Sequence, residues 1–509
     1  MKRISLSFFL GTVGVACAAQ QPLSAIDWLN EASTAAVTTP RLIPPVEPPV
    51  ADAVQTPDVN VTALDTARPD GVGLLPSSTT GLPKSLWLGS TTSDLLRQFS
   101  HLSSEPLPAV QALHYTLLLA EADAPNDAIA DAGFLSARLE ALRRVGAVEP
   151  ALALIERAGP ITEVLFDQWL DLALLGGQED TPCTELAHQP HLSKRLDARI
   201  FCTARDGDWQ TAALIYDSAA SLDALSDINS LLLAQFLDPE MIDDAVPPRV
   251  PKAITPLQFR LFEAVGTPLP TGNLPRAFAM ADLRGTSGWK AEVEAAERLA
   301  RTGALPAARL LGLYTARKPA ASGGVWDRIK AIQKLDDALQ NGAATDVAKA
   351  LPGAWSAMQS QHLEVPFAEL FAARLGALAL PDTAQPLAFE IALLSQDYET
   401  AARKGEPTSQ RARFLSGVAI GAPEMAEAST ALEQAIATGF AQTSAAPTHQ
   451  AMLDRGQLGE AILVASSLLD RSSASGRVGV GDALATLRAV GLEDTARRAA
   501  LQLLLLSGD

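Results

Sequence analysis

The chain has 509 residues, with 40 Lys or Arg against 58 Asp or Glu, a formal net charge of −18. Negativity on this scale repels nucleic-acid phosphates and anionic lipid surfaces, so no nucleic acid is expected as a partner. The length exceeds that at which single cores stop growing, and 48 % hydrophobic residues with only 5 % aromatics favour helices, so several helical domains or a repeat array is the expected class.

Lys2 and Arg3 precede an apolar run from Ile4 to Val15 that ends in Ala16-Cys17-Ala18-Ala19. A charged head, a short apolar run and small residues predict a secretory signal peptide over residues 1–18, with cleavage in the region of Ala16, Ala18 and Ala19. The run is shorter than the roughly 20 apolar residues that cross a bilayer, and no later segment supplies a membrane span. The expected location is the periplasm or the secreted fraction. Cys17 behind Gly14-Val15-Ala16 also resembles a bacterial lipoprotein site, and anchorage through an acylated Cys17 is the alternative.

Residues 19–35 are expected to hold a short amphipathic helix around Ile26, Trp28 and Leu29. Residues 36–90 read as a proline-rich extended linker, because nine of the 34 prolines fall between Pro40 and Pro83. Such spacing prevents helix and central strand alike. Within it, Gly73-Leu74-Leu75-Pro76 and Leu82-Pro83-Lys84-Ser85-Leu86-Trp87 are more apolar than a solvated spacer requires. A strap lying on a folded body and a docking motif both account for that.

Beyond residue 91 the apolar residues fall at helical spacing. Trp289, Val293, Ala296, Leu299 and Ala300 form one stripe, Ile329, Ile332, Leu335 and Leu339 a second, and Leu458, Ile462, Ala465, Leu468 and Leu469 a third. No series of alternating strands appears, so an all-α chain is predicted. Pro247, Pro248, Pro251 and Pro256 suggest a division into a first sub-array over 91–245 and a second over 246–509.

A recurring element separates the stripes: Gly, a few variable residues, then Ala beside an apolar residue. It occurs at Gly146, Gly207, Gly303, Gly456 and Gly491, with a copy at Gln396 that lacks the glycine. Glycine accepts the left-handed geometry at a helix end, and the small alanine lets the next helix lie close, so each copy predicts a helix-turn-helix hairpin. In these residues, above all Gly207-Asp208-Trp209 with Ala212 and Tyr216, the chain resembles the tetratricopeptide superfamily. Distances between copies lie near multiples of about 34 residues. The resemblance implies an α-solenoid of stacked antiparallel helix pairs over roughly 150–500, preceded by the proline-rich segment, with a concave surface for proteins or peptides. It transfers no binding residue.

Cys183 and Cys202 are an even pair in an exported chain and are expected to form a disulfide. With His188 and His191 they also make the one grouping of metal-ligand type, although the spacing is not that of a structural zinc site. Gly476, Gly479 and Gly481 lack the order of a phosphate loop and read as a connection between helices. Trp169, Trp209, Trp289, Trp326 and Trp355 sit in amphipathic patterns and are expected in the core. Neither a catalytic motif nor a cofactor or metal site is identified. The expected role is a non-catalytic periplasmic scaffold or adaptor binding envelope proteins or peptides. The alternatives are a peptidoglycan-acting enzyme that resembles lytic transglycosylases in superhelical outline, or a structural subunit of an envelope assembly.

Overall fold

The computed structural model describes residues 69–129, 131–238, 240, 248–474 and 479–506, the side chains of 471–474 excepted. The signal peptide with Ala16, Cys17, Ala18 and Ala19, the 19–35 helix and the linker before residue 69 lie outside the described residues. Among the described residues the chain is all-helical, with a lone bridge between Leu75 and Ala120 and no strand.

A single turn of helix, α1 (Ser77–Thr80), precedes α2 (Thr92–His101), α3 (Pro108–Leu119), α4 (Gly133–Arg144) and α5 (Val148–Ala158). Thr91 caps α2 by accepting from the Asp94 N–H, and Pro108 opens α3 at the position where a missing N–H costs nothing. Then come α6 (Phe166–Gly176), α7 (Asp180–His188), α8 (Leu196–Arg205), α9 (Trp209–Ser221) and α10 (Asp227–Leu237). From α4 to α10 each helix packs on the next, and α11 (Pro256–Ala264) returns to touch α6. The described residues all belong to one compact unit, and the expected 245/246 boundary lies outside the described residues.

The middle of the chain holds α12 (Ala279–Asp282), α13 (Trp289–Ala300), α14 (Ala307–Thr315), α15 (Val325–Gln340), α16 (Ala344–Gln359) and α17 (Glu364–Gly376). Ile329, Ile332 and Leu335 on α15 are buried, as are Val347, Leu351 and Ala354 on α16, and the two helices pack together. Each buried Ile or Leu stabilises that pairing by about 1.5–3 kcal/mol. Next are α18 (Gln385–Leu393), α19 (Tyr398–Lys404) and α20 (Gln410–Ala419), then α21 (Ala431–Ala441), α22 (Pro447–Asp454), α23 (Leu458–Ala474), α24 (Val480–Ala489) and α25 (Glu493–Leu505). Gly481 lies inside α24 and not in a connection. It faces Gly439 of α21, where an added β-carbon would stand 2.6 Å from the Gly481 carbonyl oxygen. Gly479 takes the left-handed turn into α24 at φ 87° and Gly481 serves close helix packing, while Gly476 lies outside the described residues.

The helices return on themselves, since α3 packs on α23 and α25, and α2 on α23. The Ala109 N–H donates to Gln502 Oε1 at 2.8 Å, and the Leu107 N–H donates to Asp470 Oδ1 at 3.0 Å. Gln502 and Asp470 thereby satisfy two of the donors that the start of α3 leaves open.

Residues 69–90, expected as the end of the linker, pack on the body instead. Leu75, Leu86 and Trp87 are buried, and the Trp87 ring meets Phe99 and Phe134 edge-on at 5.7 and 5.8 Å. Prolines limit regular structure here to short turns such as α1 but do not prevent burial, and the apolar residues between them drive the segment onto α2 and α4. Arg138, fully buried on α4, holds the strap by its backbone. Its Nε donates to the Leu118 carbonyl, Nη1 to those of Asp70 and Val72, and Nη2 to that of Ala120, all within 3.2 Å. Burial lowers its pKa to about 10, which leaves it charged at neutral pH.

Candidate interaction face

The five turn glycines all take left-handed backbone, with φ of 87° at Gly146, 99° at Gly207, 68° at Gly303, 76° at Gly456 and 86° at Gly491. They join α4 to α5, α8 to α9, α13 to α14, α22 to α23 and α24 to α25. At Gly146 space adds to conformation, because a β-carbon would stand 2.6 Å from Leu299 Cδ2. Gly177 and Gly342 make equivalent turns that the motif misses. A search for any glycine between two helical stripes finds both.

Cys183 on α7 and Cys202 on α8 are buried with their sulfurs 2.09 Å apart, at disulfide distance, and so staple two consecutive helices. His188 Nδ1 lies 2.8 Å from the Thr184 carbonyl oxygen, and His191 is exposed. Among the described residues no group of three or more His, Cys, Asp or Glu is placed to hold a metal ion.

One pairing has the residue types of nucleophilic catalysis. His114 Nε2 and Ser466 Oγ are 3.0 Å apart, but both residues are buried and burial pushes the imidazole pKa down to about 4. The cavity beside them, lined in part by Gln111, His114 and Arg144, has a volume of about 10 Å³. That is room for one water and no substrate. The pair instead joins α3 to α23, as His449 and Thr486, 2.7 Å apart, join α22 to α24.

Among the described residues, exposed large apolar side chains also occur singly or in loops, as at Ile129, Val164 and Met425, but they gather most on the α9–α10 hairpin. Asp208 caps α9 by accepting from the Thr211 N–H, yet only Ala212 and Ala219 of the whole helix are buried. Trp209 is 47 % exposed, Leu214 67 %, Leu222 78 % and Leu231 40 %. Trp209, expected in the core, meets Phe236 at a tilt with ring centroids 5.4 Å apart and stays exposed. The cause is position in the fold: α9 packs on α8 and α10, and among the described residues no further helix packs closely on its other face.

Between α9 and α10 runs a groove of about 450 Å³ lined by Tyr216, Ala220, Leu225 and Leu231, together with the exposed Asp223 and Asp227. From Asp206 to Pro248 the sequence carries nine Asp or Glu and no Lys, Arg or His. Arg205, the cation just before this stretch, is engaged by Glu179 and Asp180. A second cleft, of about 520 Å³, lies between the strap at Gly71–Gly73 and the loop bearing Glu121 and Asp123. It is lined by Val72, Leu88, Ala124 and Pro125 together with Glu121, Asp123, Asn126 and Arg157, so its charge is mixed, unlike that of the α9–α10 groove.

No helix of the described residues is long and apolar enough to cross a membrane. No protein-family model matches the chain, and no curated protein or solved structure matches it either.

Proposed function

We propose that the chain is an exported, non-catalytic α-solenoid of tetratricopeptide-like helix pairs that holds proteins or peptides of the cell envelope. The observation that carries this reading is the α9–α10 hairpin, which leaves Trp209, Leu214, Leu222 and Leu231 in water while the neighbouring helices bury their apolar stripes. Several large exposed apolar side chains gathered on one hairpin favour an interaction site. Consecutive helices joined by left-handed turns supply the rigid support such a surface needs. The cysteine pair at disulfide distance supports an oxidising compartment.

The test is a photo-crosslinking residue placed at the exposed Leu222 and, separately, at the exposed Lys290 on α13. Irradiation of intact envelopes is expected to give a discrete protein adduct from position 222 and none from 290. An absence of protein adducts from either site would remove the scaffold reading. Recovery of the chain from the cytosol with Lys2 and Arg3 still attached would remove the export.

A further inference from the structure

We infer that the α9–α10 hairpin docks a cationic amphipathic segment of another protein, whose apolar side chains enter the groove between Tyr216 and Leu231 while its Lys or Arg heads face Asp223 and Asp227. The inference rests on the scaffold reading above and names the chemistry of the partner.

Three observations select this occupant. The groove offers Tyr216, Ala220, Leu225 and Leu231, a volume suited to a few large apolar side chains and not to a folded domain. Its charge has one sign: Asp223 and Asp227 line it, Asp217 is exposed on α9, and the hairpin contains no basic residue that could neutralise them. The cation just before the hairpin, Arg205, points its guanidinium at Glu179 and Asp180. An apolar floor between unpaired carboxylates favours a ligand that brings both apolar surface and positive charge, and opposes acidic ones. A second copy of this chain is disfavoured on the same ground. A two-fold contact through this face would set one base-free acidic hairpin against another.

The experiment uses the full mature chain and three labelled helical peptides built from leucine with lysine, with glutamine or with glutamate, binding being followed by fluorescence anisotropy. The Leu/Lys peptide is expected to bind, and raising salt from about 0.05 M to about 0.5 M should weaken it, since the contact is partly electrostatic. The double substitution Asp223→Asn/Asp227→Asn and the single substitution Leu231→Ser should each weaken binding about tenfold. The control Glu294→Gln/Asp346→Asn removes the same number of exposed charges elsewhere and should change it less than about twofold. The substituted positions are exposed, and circular-dichroism melts confirm that each variant folds.

Equal weakening by the control pair would mean that net charge alone attracts the peptide, and it would overturn the inference. So would binding of the Leu/Glu peptide as tightly as the Leu/Lys one. Concentration-dependent dimerisation abolished by Trp209→Ser would assign the face to a second copy and overturn the partner named here. If the Leu222 adduct persists in envelopes carrying Asp223→Asn/Asp227→Asn, the scaffold reading stands and this inference falls. If no adduct forms in the unsubstituted chain, the scaffold reading falls with it.

Discussion

Trp87 occupies the space that a side chain on Gly459 would need: a β-carbon there would stand 2.4 Å from the indole ring. The Gly459 N–H also donates to the Leu86 carbonyl at 3.0 Å. Because Trp87 packs on Phe99 and Phe134 as well, one indole ties the start of α23 to α2 and α4. The two ends of the described chain thus share a single buried ring.

Gly459→Ala sets two effects against each other. Alanine in place of glycine within a helix gains up to about 1 kcal/mol of propensity. Overpacking against a rigid ring costs about 1–3 kcal/mol, and the ring has no free end to swing aside. The expected net is destabilisation, while Trp87→Ala should cost about 3–5 kcal/mol through the cavity it leaves. Urea unfolding measures both. A Gly459→Ala protein as stable as the parent would show that the strap does not press on α23.

Arg138 anchors the other end of the strap, and its donors serve four carbonyl oxygens at once. Arg138→Met keeps much of the side-chain volume and removes every donor. Unpaired buried carbonyls cost about 1–3 kcal/mol each, offset in part because no charge remains to be desolvated. The expected loss is about 3–5 kcal/mol. Trypsin reports the location of the damage. Lys84 is exposed within the strap, and its cleavage should accelerate in the variant before the body is cut. Unchanged cleavage after Lys84 would mean that the strap is held without this arginine.

Two titrating groups at the α3–α23 contact act in opposite directions. Burial holds His114 down at about 4, so on acidification the unfolded chain takes up its proton first. Stability from His114 is full above about pH 6.5 and is lost as pH falls towards 4. Burial pushes Asp470 up to about 7, so the folded chain keeps a proton that the unfolded chain has released. Stability from Asp470 is full below about pH 4 and falls as pH rises to 7.

Each slope reaches at most about 1.4 kcal/mol per pH unit, and the two largely cancel between about pH 4.5 and 6.5. The parent chain should therefore show a shallow profile there from this contact. His114→Gln leaves the Asp470 slope, so stability should decline with rising pH, and Asp470→Asn leaves the His114 slope, so it should increase. Urea titrations at stepped pH measure the difference between the two variants. Parallel profiles would contradict the opposed burial effects.

How much of this was legible in the sequence depends on how local its cause is. The helical class follows from apolar stripes such as Ile329, Ile332 and Leu335, and a turn such as Gly456 can be read from its flanking runs. The strap could not be read that way. Whether Trp87 is buried depends on Phe99 and Phe134 arriving from other helices, and proline content says nothing about that. Trp209 is the converse case. Its place in a helical stripe reads as core, but the helix that would cover it is missing among the described residues. The contacts of Ala109 with Gln502 and of Leu107 with Asp470 join residues far apart in the chain and leave no periodic trace. The candidate face was half legible, because the absence of Lys, Arg and His between Asp206 and Pro248 is plain in the sequence, whereas the exposure of Leu214 and Leu222 is a property of the packing.

The turns allow one further test, because the same geometry occurs with and without glycine. His362 sits between α16 and α17 at φ 54°, in the left-handed region that a side chain tolerates poorly, and it is exposed. Gly207 lies at φ 99° with nothing within 4 Å of an added β-carbon, so conformation alone decides a substitution there. His362→Gly relieves a left-handed non-glycine residue worth about 1 kcal/mol, against a comparable entropy gain in the unfolded chain. The expected change is within about 0.5 kcal/mol of zero. At Gly207 the two effects also oppose, but φ 99° lies well outside the left-handed well near 57°, so the folded strain on an alanine, about 1–3 kcal/mol, exceeds the roughly 0.4–1 kcal/mol gained from a stiffer unfolded chain, for a net loss of about 1 kcal/mol. Thermal unfolding of both variants tests the asymmetry. An equal loss at the two sites would mean that His362 holds its turn through its imidazole and not merely in spite of it.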